Sequence, residues 1–222
     1  MDVLVEGGRE LACISNPEFK MAVETTWAQL ESEMALAYTK IVPSMERKEL
    51  SFHSSIKLLG YLCLENFELP GDILEIGVWK GKSLTFMSRL SSASSNIIGV
   101  DPCEIEGQHQ ELLSLIKVMS PRSLIISEYS ERAVRQVLSV SRQIKLLHID
   151  GGHLRDQVWS DFIIYSQFIR PGGYIVFDDY DTKDSPEVGP AIDDMYRLGF
   201  FENFDVIGPV AGFKHSFLLK KL

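Results

Sequence analysis

The sequence is short of positive charge, short of cysteine and free of long apolar runs, and each shortage removes a class of protein. Lys and Arg number 22 against 31 Asp and Glu, which gives a formal net charge of -9. No basic run exceeds a pair, as at Lys220-Lys221. A surface of this sign repels phosphate, so neither nucleic acid nor an anionic membrane is an expected partner. The three cysteines, Cys13, Cys63 and Cys103, are widely spaced and form no CxxC pair. That pattern argues against a disulfide framework and against a zinc cluster, and for a reducing compartment. The opening residues MDVLVEGGRELACISN carry early acids and no apolar core of a signal peptide. No apolar stretch approaches the roughly 18 residues of a membrane span. A cytoplasmic location is the expectation.

What remains is ordinary globular composition, 45% hydrophobic and 24% charged over 222 residues. That length supports one domain with a full core, and one domain spanning 1–222 is expected. Residues 1–70 read as a helical cap. Asn16-Pro17 starts a helix from Glu18 to about Lys40, with Met21, Trp27, Leu30 and Met34 apolar, and Val42-Pro43 breaks it. A second helix is expected from Phe52 to Asn66, with Ile56, Leu59, Leu62 and Cys63 on one stripe.

After Pro70-Gly71 the texture becomes that of an α/β core, residues 71–222. Apolar runs at Ile73-Ile76, Ile97-Val100, Leu124-Ile126, Leu146-Ile149 and Tyr174-Phe177 alternate with helical segments. Continuous apolar strands between helices indicate a doubly wound, mostly parallel sheet covered on both faces. Two further runs, Phe204-Ile207 and Ser216-Leu219, are joined by a short loop holding Gly208, Pro209 and Gly212. They read as a hairpin, which makes seven strands and puts an antiparallel strand at the C-terminus.

The first loop of this core runs Glu75-Ile76-Gly77-Val78-Trp79-Lys80-Gly81-Lys82-Ser83. It lies at the carboxyl end of a strand, where open α/β sheets bind ligands. Gly77 allows close backbone approach, and Ser83 can cap the following helix. A dinucleotide fingerprint would need Gly at position 75, and a carboxylate there repels pyrophosphate. A P-loop would need Gly at position 76, which is Ile76. The pattern ExGxxxG instead resembles motif I of class I S-adenosylmethionine (SAM)-dependent methyltransferases. The resemblance implies that Glu75, Gly77, Trp79, Gly81, Lys82 and Ser83 surround the methionine part of SAM.

Asp101 ends the second strand, where an acid accepts hydrogen bonds from ribose hydroxyls. Glu128, Tyr129 and Ser130 follow the third, beside the expected adenine; Ser130 is equally a natural helix cap. The fourth strand ends His148-Ile149-Asp150-Gly151-Gly152-His153, and the fifth ends Phe177-Asp178-Asp179-Tyr180 after Arg170-Pro171-Gly172-Gly173. Neighbouring strand ends bring Asp150, Asp178 and Asp179 together. Two such charges 4 Å apart repel by roughly 4 kcal/mol at an effective dielectric near 20, so protonation, a cation or a metal must offset them. Oxygen ligands favour a hard cation such as Mg²⁺ or Ca²⁺.

The ordered set IDGGH and RPGGYIVFDDY is similar to the small-molecule O-methyltransferases related to macrocin O-methyltransferase, a group that includes a cephalosporin-hydroxylase-associated branch. The resemblance covers roughly residues 70–185. It implies a Rossmann-like methyltransferase fold, SAM as cofactor, Mg²⁺ on Asp150, Asp178 and Asp179, and Asp150 also beside the cofactor. The expected reaction is O-methylation of a small-molecule hydroxyl on a sugar, phenol or natural product. His153 and Asp150 are the expected catalytic pair, with His153 as general base; a helix-capping role for His153 is the competing reading. His148 sits within a strand and reads as a packing residue, Tyr180 as acceptor wall or packing, and His53, His109 and His215 belong to no motif. The alternatives are an accessory subunit on the same fold and, against Glu75, an NAD-dependent oxidoreductase. The N-terminal helices either cover the site or form a homo-oligomer contact.

Overall fold

The computed structural model describes residues 9–41 and 54–222. The expected break at Val42-Pro43, the start of the second helix at Phe52, and His53 lie outside those residues. The chain begins with a single helical turn, α1 (Ala12–Ser15), then α2 (Pro17–Ile41) and α3 (Ser54–Glu65). Asn16 caps α2, its side-chain oxygen accepting from the Glu18 N–H at 2.9 Å, as a helix start after Asn-Pro requires.

The core then alternates strictly: β1 (Asp72–Ile76), α4 (Lys82–Leu90), β2 (Ile97–Val100), α5 (Gln108–Met119), β3 (Ser123–Ile126), α6 (Ser130–Val140), β4 (Ile144–Ile149), α7 (Arg155–Tyr165), β5 (Ile169–Phe177), α8 (Val188–Arg197), β6 (Phe204–Val210) and β7 (Phe213–Lys221). One turn of 3-10 helix, Ser166–Phe168, joins α7 to β5. The seven strands form one sheet in the order β3-β2-β1-β4-β5-β7-β6. All pairs from β3 to β5 are parallel. β7 is antiparallel to both β5 and β6, so the hairpin forms as expected but the antiparallel strand is an inner one. Burial explains its place. Phe217, Leu218 and Leu219 are fully buried on successive positions, hence on both faces, whereas β6 carries an exposed Asp205 and a half-buried Pro209, which suit an edge.

Alternate residues of the strands feed two apolar cores. Ile73, Leu146, Tyr174, Val176 and Leu218 join Trp27, Leu30, Leu62 and Phe86 on one face. Leu74, Leu147, Ile149, Ile175 and Phe177 join Val137, Phe162, Ile192 and Phe201 on the other. Helices α2 and α3 pack on α4, and α3 also meets β7, so the N-terminal helices form part of one covering layer. Trp27 meets Phe86 of α4 edge to face, centroids 5.4 Å apart. Each such buried side chain contributes about 1.5–3 kcal/mol.

The strand order reverses direction between β1 and β4. Glu75 is registered with His148 and Ile76 with Ile149, so the loops after these strands leave the sheet side by side. This is the crevice in which open α/β sheets bind ligands.

Candidate active site

A cavity of about 910 Å³ opens at that crevice. Its floor is Ile76 and Val100, the last residues of β1 and β2, and its walls come from the loops after β1, β2, β3 and β4. Of the expected cofactor residues, Gly77, Trp79, Asp101, Tyr129, Ser130 and Asp150 line it. Glu75, Gly81, Lys82, Ser83 and Glu128 are not among its lining residues.

The reasons are local. Gly77 has φ 84°, and a Cβ there would lie 1.9 Å from the Asp150 carbonyl oxygen. The close approach it permits is therefore first to the neighbouring loop, which locks the ends of β1 and β4 together. Gly81 is the N-cap of α4 at φ 77°, and its missing side chain makes room for Leu112 and Ile116 of α5. Ser83 is thus inside the first turn rather than at the cap. Glu128 turns back to accept its neighbour's N–H, Tyr129 N at 2.9 Å. Tyr129 is the N-cap of α6, and Ser130 begins the helix.

Asp101 is the most heavily bonded acid of the site. Its Oδ2 accepts from the N–H groups of Val78 and Trp79 at 2.9 and 2.7 Å. Its Oδ1 accepts from the Cys103 N–H at 2.7 Å and from Gln108 Nε2 at 3.1 Å. These four donors match the acceptor capacity of one carboxylate. Asp101 pins the first loop, which fixes Trp79 at the cavity wall. Across the mouth, the Tyr129 hydroxyl donates to Glu104, tying the loop after β3 to the loop after β2.

The acids converge at the other end. Asp150, His153 and Asp179 offer ligand atoms that all lie within 4.8 Å of one another, and so do His148, Asp150 and Asp178. Asp150 is common to both groups. His153 Nε2 is 3.1 Å from Asp179 Oδ2, and the N-cap of α7 is Leu154, so His153 faces the acids and does not cap the helix. Ser185 donates its hydroxyl to the same Asp179 oxygen at 2.7 Å. Asp179 holds this position at φ 61°, a left-handed conformation that a residue with a Cβ adopts at a cost. Trp79, Cys103 and Asp181 share that feature, each in a loop at the carboxyl ends of the strands.

His148 is not a plain packing residue. Its Nδ1 is 2.8 Å from Glu75 Oε1, and both side chains are buried. Burial alone would lower the imidazole, but the Glu75 hydrogen bond and charge, with Asp150 and Asp178 behind, raise it to about 9. The buried ring thus offers a positive charge to the acid cluster. Burial raises Asp150 well above the usual carboxylate range; His148 opposes this, and Asp178, Glu75 and Asp179 add to it. One Glu75 oxygen, Oε2, is buried without a partner. Tyr180 takes the packing role: it is buried, its ring 5.0 Å from that of Phe217 and its hydroxyl on Asp193.

Three residues of the site escaped the sequence reading. Gln108 braces Asp101, His148 balances the acids, and Asp161 of α7 lines the cavity while only 2% exposed. Asp161 did leave a signal. It falls with Val158, Phe162 and Tyr165 on the buried stripe of α7, where a charged residue is anomalous.

The sheet order, with its antiparallel β7 beside β5, is that of the class I methyltransferase fold. The comparisons agree. Residues 74–180 match the family model described as a methyltransferase domain. The uncharacterized protein R132 of Acanthamoeba polyphaga mimivirus is 38% identical over 146 residues, which is 61% of this chain and 66% of that protein, so the match spans just under two thirds of the relative. The O-methyltransferase from Bacillus cereus in complex with SAH superposes with TM-score 0.65 at 18% identity, covering 88% of this chain and 90% of that one. CalS11, the TDP-rhamnose 3'-O-methyltransferase of calicheamicin biosynthesis, gives 0.61 at 16%, covering 92% and 95%. The MycE methyltransferase of the mycinamycin pathway, in complex with Mg, SAH and mycinamycin VI, gives 0.51 at 17%, covering 71% and 46%. The chain has the class I methyltransferase fold, and residues 74–180 are similar to a methyltransferase domain.

Proposed function

We propose that the protein is a SAM-dependent O-methyltransferase acting on a hydroxyl of a small molecule, with a divalent cation at the acid cluster. The observation that carries this reading is the joining of two features in one crevice. A cavity bounded by the Gly77 turn and Asp101 opens directly onto Asp150, and Asp150 meets His153 and Asp179 within 4.8 Å. The similar O-methyltransferases, CalS11 and that of B. cereus in complex with SAH, and the MycE methyltransferase in complex with Mg and SAH, support the same reading.

SAM supplies an activated methyl group on sulfur, and the chain has to orient an acceptor oxygen towards it and remove a proton. Asp101 holds the first loop in shape and, with Gln108, lines the side of the cavity at the end of β2, where a ribose hydroxyl would exchange for one of its present donors. His153, held by Asp179 through one ring nitrogen, is the general base that takes the acceptor proton. As the oxygen–carbon bond forms, the carbon–sulfur bond breaks and S-adenosylhomocysteine (SAH) is the leaving product. The donor set suits a hard cation: three carboxylates, with the half-exposed His153 imidazole beside Asp179. Asp150, Asp178 and Asp179 would hold it, and it would supply Lewis acidity at the acceptor oxygen.

The test pairs two variants with binding. Asp179→Ala is expected to lose metal-dependent methyl transfer by at least 100-fold while its SAH affinity stays within about threefold. His153→Ala is expected to lose 10²–10⁴-fold, the usual contribution of a general base. Full methyl transfer by Asp179→Ala in chelator removes the metal role, and a wild-type rate for His153→Ala across pH 6–9 removes the base.

A further inference from the structure

We infer that Asp161 is the specificity residue for the base of the bound cofactor, accepting a hydrogen bond from the exocyclic amine of adenine. The inference rests on the cavity being the SAM site. The cavity has three stretches. One lies against Asp150 and His153, at the reacting end. One lies against Asp101, Pro102 and Gln108, on the ribose side. The third lies between the first turn of α6 and the middle of α7, where Ser130, Glu131, Ser160 and Asp161 line it over the apolar floor of Ile76 and Val100. With ribose at the end of β2 and the methyl group towards the acids, this third stretch is what remains for the base. A flat ring on an apolar floor with a polar edge at one wall is the usual form of such a pocket.

Asp161 is that polar edge. The Ser130 hydroxyl donates to its Oδ1. Ser130 is itself held, its carbonyl accepting from the Tyr165 hydroxyl at 2.6 Å. The other oxygen, Oδ2, lies beside Gly151, only 3.3 Å from where a Cβ at that position would stand. Gly151 also lines the cavity, so the absent side chain leaves the Oδ2 side of the carboxylate open towards the floor. An acid this buried on the apolar stripe of a helix has an energetic cost that an amine donor would offset. Glu128, the acid the sequence offers for the same task, is bonded to its own neighbour and is not among the lining residues. Burial pushes Asp161 up to about 6, against the Ser130 bond and with a small push from Glu131, which leaves it ionised, as an acceptor, at neutral pH and above.

The test is calorimetric binding of SAH and of S-inosylhomocysteine, in which a carbonyl replaces the 6-amino group, at pH 8. The wild type is expected to bind SAH at least tenfold tighter, since a hydrogen bond to a charged group is lost and two acceptors are left facing each other. Asp161→Asn keeps the Ser130 bond and turns an N–H donor to the base, so the preference is expected to close or reverse. Ser130→Ala, which frees the carboxylate to rotate, is expected to reduce it, and serves if Asp161→Asn fails to fold by circular dichroism. Equal wild-type affinities for the two ligands overturn the inference while leaving the SAM reading intact. So does wild-type discrimination retained in a folded Asp161→Asn. Wild-type protein that binds neither ligand overturns the SAM reading and this inference with it.

Discussion

At the scale of single residues, the acids of this site differ in how their charge is met. Asp101 is met by four donors, two of them backbone N–H groups of the first loop. Asp179 is met by His153 and Ser185. Asp161 is met by one hydroxyl, and burial dominates its behaviour. Its consequence for stability has a definite sign. An unfolded Asp titrates near 3.9, and the folded group titrates at about 6. The fold therefore binds a proton more tightly than the unfolded chain, so this group's contribution favours folding below pH 4 and is lost as pH rises to 6. Asp161→Asn removes the charge without the volume. The ligand-free variant is expected to be more stable than the wild type at pH 8 by up to about 2–3 kcal/mol, or several degrees of melting temperature, with the two converging near pH 4. A variant that melts lower than the wild type at pH 8 contradicts this account of Asp161. On the expected outcome, binding and stability move in opposite directions, as where a group is kept for function.

At the scale of elements, the site depends on how β1 and β4 end. Gly77 brings the two loops together with a clearance that no Cβ can share, since its nearest atoms would be the carbonyl oxygen and carbon of Asp150 at 1.9 and 2.4 Å. Both belong to backbone, which cannot swing aside. Gly77→Ala also faces a φ of 84°, unfavourable for any residue with a Cβ. The variant is expected to lose at least 3 kcal/mol of stability, read as the shift in urea midpoint at unchanged slope, and to bind SAH at least tenfold more weakly. Wild-type stability and affinity in Gly77→Ala would show that the two loops are free to part. The strands themselves were legible. Every core strand from β1 to β5 contains the continuous apolar run read for it, because strands of a covered sheet are mostly apolar on both faces, with Glu75, Lys145 and His148 as buried exceptions and β3 more exposed at the edge. The pairing of Glu75 with His148 was not legible. It requires β4 to lie next to β1, and strand order is set by crossovers that local pattern does not encode. The hairpin was read correctly, but the insertion of β7 between β5 and β6 turns on which strand is apolar on both faces.

At the scale of the whole molecule, the excess of acid over base coexists with a ligand site whose own acids gather at one end. The motif spacing made Asp101, Asp150, Asp178 and Asp179 visible, because each follows a strand at the face where ligands bind. It did not reveal that Asp178 and Asp179 group with different histidines around Asp150, since that depends on a left-handed backbone at Asp179. No helix among the described residues is long and apolar enough to cross a membrane, which agrees with the absence of long apolar runs. The central claim is that the crevice binds SAM. Its most direct test is a thermal-shift titration of the wild-type protein with SAH, with NADH as control, each in Mg²⁺ and in chelator. Saturating SAH is expected to raise the melting temperature in both buffers, as a ligand at 100 times its dissociation constant stabilises by about 2.7 kcal/mol, and NADH is expected to leave it unchanged. A shift with NADH and none with SAH would contradict the account and mark the crevice as a dinucleotide site.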